Sequence, residues 1–117
     1  MQEQFENLKV WQKAMDLVTS VYQFTNQFPQ TEQYGLTSQV RRAAVSIPAN
    51  IAEGKGRSYQ KERIQFFHMA RGSAYELITL IQVSENLKYL KKDQSKTLLE
   101  LCSEVTAMLN SLIQSLR

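Results

Sequence analysis

RRAAVSIPANIAEGKGR, residues 41–57, places apolar side chains at helical spacing, yet it holds a proline at its centre and closes on two glycines interleaved with Lys55 and Arg57. Three readings compete: a kinked helix with a built stop, a phosphate-binding loop, and a catalytic loop. Pro48 has no N–H to offer the carbonyl of Ala44, and an interior proline costs ~3 kcal/mol unless the helix bends. A kink or break near Ile47–Pro48 is therefore expected, because the residue before proline avoids the helical region. Ser46 is placed to hydrogen-bond a freed carbonyl. Gly54 stands where a left-handed C-cap is wanted, and Gly56 permits a tight reversal before Ser58 opens the next helix.

The phosphate-loop reading meets a spacing problem. GKGRS has neither the G-x-x-x-x-G-K-[ST] nor the G-x-G-x-x-G pattern, and no strand precedes it. A weaker form survives: Lys55 and Arg57 sit beside the N-terminus of the following helix, whose free N–H groups attract anions. The same two residues also read as solvated loop charges flanking a C-cap.

Outward from this stretch, the pattern is helical throughout. About residues 7–27 recur at three and four through Leu8, Trp11, Ala14, Val18, Val21 and Thr25, with Asn7 as N-cap and Pro29 as terminator. Thr31 is the N-cap expected for a second helix through Leu36, Val40, Ala43, Ile47 and Ile51. A third follows Ser58, with Glu62 in its first turn and a stripe of Phe66, Ala70, Ser73, Leu77, Leu80, Ser84 and Leu87. The fourth starts near Asp93 and carries Leu98, Cys102, Val105, Leu109, Leu112 and Leu116 at alternating steps of four and three, the seam of coiled-coil-like packing. Leu99, Leu101, Met108 and Ile113 widen that face. No segment alternates with the period of a strand. The short connections FPQ, GKGR and KYLKK force sequential neighbours to reverse. The expected fold is all-α: an antiparallel, up-down-up-down four-helix bundle comprising residues 1–117 as one domain.

Composition agrees. A chain of 117 residues with 43% hydrophobic and 21% charged content suits a single soluble domain, and 4 Gly with 2 Pro leave few breaks. No apolar run approaches the ~20 residues of a membrane span. The acidic opening MQEQFENLKVW is unlike an export signal, and one cysteine cannot form an internal disulfide, so the expected location is cytoplasmic. The net charge is only +3. Between Arg41 and Arg71, however, seven cations face two carboxylates, a local +5 that leaves −2 for the remainder. Positive charge is concentrated in one stretch of the sequence.

Candidate chemistry is sparse. His68 has no metal-ligand companion in spacing, and Cys102 sits on a helix seam as a small apolar residue, so no metal, no cofactor and no catalytic residue is expected. His68 forms an acid–base pair only if tertiary contact brings Glu62 or Glu76 to it. Glu53 and Glu76 adjoin apolar stripes and need partners, which Arg41, Arg42 or Arg71 can supply. Arg41, Arg42, Ser46, Asn50, Glu53, Arg71, Ser73 and Glu76 thus read as an interhelical polar layer that sets register, with a catalytic centre as the competing reading.

FENLKVWQKAMDLV, FPQTEQYGLTSQVRRAAVSIPANIAEGKGR and FFHMARGSAYEL resemble the bacterial four-helix-bundle proteins first noticed as products of intervening sequences in 23S ribosomal RNA genes. The resemblance extends from Phe5 to about Leu116. Its most specific parts are R-R-A…S-I-P-x-N-I-A-E-G and G-S-x-x-E. It implies a homopentameric ring and no established enzymatic activity. It also points to a related group, the accessory variability determinants of diversity-generating retroelements, whose basic pentameric barrels bind nucleic acid and a reverse transcriptase. The polar positions it carries over are Arg41, Arg42, Ser46, Asn50, Glu53, Gly54, Gly72, Ser73 and Glu76.

The residues favour assembly independently. The apolar faces are wider than one bundle seam needs, and a closed ring buries the excess without open-ended growth. Gly72, Ser73 and Ala74 form a small-residue patch where glycine costs ~1 kcal/mol unless close packing requires it. Two functions follow. One is an oligomeric module that contacts RNA or DNA phosphates through Lys55, Arg57, Lys61 and Arg63, tolerant of sequence because no base-reading motif is present. The other is an oligomeric scaffold for a protein partner. An enzyme requires Glu53 or Glu76 in an open pocket.

Overall fold

A computed structural model describes residues 4–117. The first three residues of the acidic opening stretch lie outside the described residues. Among those described, all regular structure is helical: α1 (Lys9–Thr25), α2 (Leu36–Gly56), α3 (Gln60–Asn86) and α4 (Lys92–Ser115), with single 3-10 turns at Gln4–Asn7 and Gln30–Glu32. The helices stand at the corners of a square. α2 packs on α1 and α3, and α4 packs on α3 and α1, while the backbones of the diagonal pairs stand further apart. The array measures 43 × 25 × 20 Å, its long axis set by α3.

Particular contacts join the α1–α4 and α2–α3 pairs. Gln27, just past α1, donates from Nε2 to Tyr89 O (2.9 Å) and to Gln94 Oε1 (2.8 Å) at the start of α4. Lys13, near the start of α1, pairs with Glu104 further along α4 at 3.2 Å. Gly54, late in α2, lies against Phe67, early in α3. The core between them consists of Leu17, Val21, Val40, Ile47, Ile51, Phe67, Leu77, Ile81, Leu98, Val105 and Leu109, all fully buried.

Several expected details differ. Asn7 does not cap α1, because it sits in a 3-10 turn and a cap needs extended backbone; Leu8 takes that place, and Phe5 packs edge-on to Trp11 at 5.4 Å. Thr31 likewise lies in a 3-10 turn. α2 begins at Leu36, whose N–H is accepted by Glu32 Oε1 at 3.0 Å, so a carboxylate four residues upstream does the capping. Ser58 precedes the extended Tyr59, and α3 opens at Gln60. No described glycine adopts positive φ, so Gly54 is not a left-handed cap. The helix runs on to Gly56 and ends at the extended Arg57.

No break occurs at Pro48. α2 is continuous through it, with the ring buried, because α3 lies along α2 in the most extensive contact of the fold and that packing offsets the missing bond. On α3, Ala70, Leu77 and Ser84 of the expected stripe are buried, but at Phe66, Ser73 and Leu80 the buried face shifts to the next residue. Phe67, Ala74 and Ile81 are buried, Phe66, Ser73 and Leu80 are half-buried, and Leu87 is exposed. At the end of α4, Ile113 is buried while Leu112 and Leu116 are half-buried. A helix of 3.6 residues per turn drifts off a 3.5-residue seam unless it supercoils.

The left-handed residue lies elsewhere. Lys88, with φ 67°, closes α3 in a Schellman arrangement in which Tyr89 N donates to Ser84 O and Lys88 N to Glu85 O, both at 2.9 Å. Gly54 is needed for a different reason: an added Cβ would sit 2.7 Å from Phe67 Cε1 and 3.1 Å from Phe66 Cβ. At Gly72 a Cβ meets nothing within 4 Å, so no close packing within the chain accounts for that glycine.

Three substitutions therefore separate in sign. Gly54→Ala costs about 1–2 kcal/mol by overpacking a ring that cannot yield. Gly72→Ala adds up to ~1 kcal/mol of stability through helix propensity. Lys88→Gly adds about 1 kcal/mol by relieving the left-handed backbone. Urea unfolding midpoints of the three variants check the order.

Candidate nucleic-acid interface

The stretch linking α2 to α3 brings the four expected phosphate contacts to one end of the array, but it does not leave all four free. Arg57 reaches back one turn to Glu53, Nη2 to Oε2 at 2.8 Å, while its guanidinium lies 4.6 Å above the Phe66 ring. Arg63 donates from Nε to Arg57 O at 2.6 Å, a cation set on a carbonyl at a helix C-terminus, where the dipole favours it. Both arginines thereby hold the turn together. Lys61 is exposed and Lys55 half-buried, and neither is in an ion pair among the described residues.

Three members of the expected polar layer meet at mid-height. Ser46 and Ser73 are joined Oγ to Oγ at 2.9 Å across the α2–α3 seam. Asn50 donates from Nδ2 to Ser46 O (2.9 Å) and Ser46 Oγ (3.0 Å), one turn along α2. The arginines assigned to that layer point to other helices. Arg41 reaches α1, with Nε on Thr25 Oγ1 at 2.9 Å, Nη2 on Asn26 Oδ1 at 3.2 Å, and its guanidinium 4.4 Å over the Tyr22 ring. Arg71 reaches α4, donating from Nη1 to Asn110 Oδ1 at 2.7 Å, while Nη2 lies 2.9 Å from His68 Nδ1. Arg42 is exposed.

Glu53 and Glu76 are not layer members. Both are exposed; Glu53 is paired with Arg57, and Glu76 sits on the rim of a shallow depression with Gln39, Arg42 and Ser46. Water solvates a carboxylate at less cost than a half-dry interface does, so the helix seam keeps hydroxyls and an amide while the charges remain outside.

His68 is not an acid–base partner of Glu62 or Glu76. Its Nε2 lies 3.4 Å from Arg117 Nη2, and its other nitrogen faces Arg71. Burial first, then the charges of Arg71 and Arg117, holds its pKa below the ordinary histidine value. Cys102 is buried on α4, and burial pushes its thiol up to about 12. Among the described residues no three His, Cys, Asp or Glu side chains converge as a metal site needs, and no helix is long and apolar enough to cross a membrane. The partners of Arg41 were the part missed from sequence. Tyr22 and Thr25, three apart on α1, share one face of that helix, but nothing in their spacing shows which helix will face them.

With this geometry in view, comparison with known proteins adds a family and a fold. A family model described as "23S rRNA-intervening sequence protein" matches residues 6–111. A solved crystal structure of a protein with unknown function from the S23 ribosomal protein family of Bacteroides thetaiotaomicron superposes with a TM-score of 0.80. The two chains are 20% identical, and the match covers 89% of this chain and 97% of that one, a likeness of fold alone. A comparison with curated proteins returns no match.

The buried thiol makes a direct check. Cys102 stays unlabelled by a thiol reagent at pH 8 in the folded protein and reacts at the rate of an ordinary cysteine in denaturant. Fast labelling of the native chain contradicts its place in the core.

Proposed function

We propose, from the premise that the chain belongs to the 23S rRNA-intervening sequence protein family, that it is a non-enzymatic oligomeric module whose basic surface holds RNA or DNA phosphates. In this reading the bundle is antiparallel, up-down-up-down, and five copies close into a ring in the cytoplasm. The observation that carries it is the state of the cations between Arg41 and Arg71. Among the described residues, only Arg57 of the seven is paired with a carboxylate within 4 Å. The others are anchored by neutral groups or stand in water, so the local excess of positive charge is not quenched inside the chain. Five copies of +3 make a ring of +15, and a weak patch repeated around it becomes a multivalent surface for a polyanion.

Support for assembly comes from side chains the single chain leaves uncovered. Val45, Met69 and Tyr75 on α2 and α3 are 42%, 48% and 52% exposed, and Gly72 has open space above it. The same uncovered side chains favour the second reading, an oligomeric scaffold whose face is taken by a protein partner. Support for a non-catalytic role is that the titratable groups are committed elsewhere: His68 lies between two arginines, Glu53 is paired with Arg57, and Cys102 is in the core.

Light scattering of the purified chain gives about five times the 13.5 kDa subunit mass. A labelled oligonucleotide titrated by fluorescence anisotropy loses at least ~10-fold in affinity between about 50 and about 200 mM salt, as several phosphate contacts require. Affinity indifferent to salt, or no binding at the lower concentration, overturns the nucleic-acid reading and leaves the scaffold. A monodisperse monomer removes the ring.

A further inference from the structure

The start of α2 holds a second cationic feature, distant from the α2–α3 turn and built differently. A groove of about 660 Å³ opens there, lined by Tyr22, Gln33, Tyr34, Thr37, Arg41 and Arg42 among others. That volume is in the range of small-ligand sites. Arg41 is held within it by Thr25, Asn26 and the Tyr22 ring, all uncharged, and forms no ion pair among the described residues. Its Nη1 has no protein partner there. A guanidinium whose position is set by neutral groups keeps its full charge and loses little freedom when an anion arrives.

Thr37 adds an independent sign. It is 8% exposed, and its Oγ1, like Ser95 Oγ, is a buried polar atom with no hydrogen-bond partner among the described residues. Buried hydroxyls are rarely left so, because the lost hydration is not recovered. Threonine in a helix divides between two χ1 wells, and one rotation can turn this hydroxyl to a bound oxygen. The helix end is also available. Leu36 N is taken by Glu32 Oε1 and Gln39 N by Gly35 O, which leaves the N–H groups of Thr37 and Ser38 at the positive end of a 21-residue helix. The nearest upstream carboxylate keeps its charge, since Glu32 is held by neutral donors, one oxygen on Leu36 N and the other on the Tyr89 hydroxyl at 3.0 Å, so an anion here is held against it by Arg41 and Arg42. Glu76 lies beyond Arg42, on the rim of the neighbouring depression. On the groove's edge, Tyr34 presents a ring that is 90% exposed, a platform on which a base can stack.

We propose that this groove binds one nucleotide of a single-stranded nucleic acid, its phosphate on Arg41, Arg42 and the first turn of α2, its base on Tyr34. The site rests on the nucleic-acid reading above and moves the main contact away from Lys55 and Lys61. A duplex offers phosphates but keeps its base faces stacked, so single strands are preferred.

The test uses the full chain and labelled 12-mers of oligo(rU) and oligo(dT), with a duplex of the same length and inorganic phosphate as competitors. Tyr34→Ala, at an exposed position, weakens single-strand binding on the order of tenfold and leaves duplex binding unchanged. Thr37→Val raises the melting temperature, because the unpartnered hydroxyl is gone, and also weakens oligonucleotide binding. Lys55→Ala with Lys61→Ala has the smaller effect. If Tyr34→Ala and Thr37→Val bind single strands as the parent does while the lysine pair loses binding, this site is wrong and the general reading stands. If the parent chain binds no oligonucleotide, both fall. Competition by inorganic phosphate alone, with the tyrosine variant unaffected, overturns the base platform and reassigns the groove to a free phosphate.

Discussion

The Phe67 ring fills the space that a side chain on residue 54 would need. That contact sets how closely α2 and α3 approach, and much of the rest follows from it. With the two helices pressed together at this end, Ser46 and Ser73 come within hydrogen-bond distance across the seam, and Pro48 remains inside a continuous helix. The turn between the helices is then short, and it is closed by Arg63 on the Arg57 carbonyl rather than by a left-handed glycine. A glycine that looks like a helix stop is instead a packing residue.

The charged groups follow a consistent rule. Arg41 and Arg71, which enter the helix seams, meet hydroxyls, amides, a ring and an imidazole, whereas Glu53 and Glu76 stay exposed. Arg41 and Arg71 each join a sequential pair of helices this way, one linking α2 to α1 and the other α3 to α4. A buried ion pair would have to recover the desolvation of two charges; a guanidinium on neutral acceptors has to recover only one, and its flat apolar faces pack on rings. The consequence for function is electrostatic. Among the described residues, positive charge used to join helices is not cancelled by a carboxylate, which is the feature that the proposed nucleic-acid reading draws on.

Belonging to the 23S rRNA-intervening sequence protein family fits an all-helical chain of this kind and leaves its chemistry to be argued from side chains. The basic turn and the groove at the start of α2 lie at opposite ends of α2, about 30 Å apart along a 21-residue helix. A strand of nucleic acid that touched both would lie along α2, past the exposed Arg42.

Four helices, and the absence of strands among the described residues, were legible in the sequence, because three-and-four spacing is a property of the chain itself and needs no partner to be seen. The α2 stripe of Leu36, Val40, Ala43, Ile47 and Ile51 was read position for position, and the α4 seam was right as far as Leu109. Caps were not legible. Asn7, Thr31 and Ser58 all have the composition of a cap, but backbone angles decide the matter, and those depend on how the flanking turns pack. Nor were the partners of Arg41, Arg71 and Glu53, or the exposure of Glu76. Spacing along one helix orders its own side chains; only the docking of a second helix decides which hydroxyl, ring or carboxylate a long side chain can reach, and whether leaving water is worth its cost there.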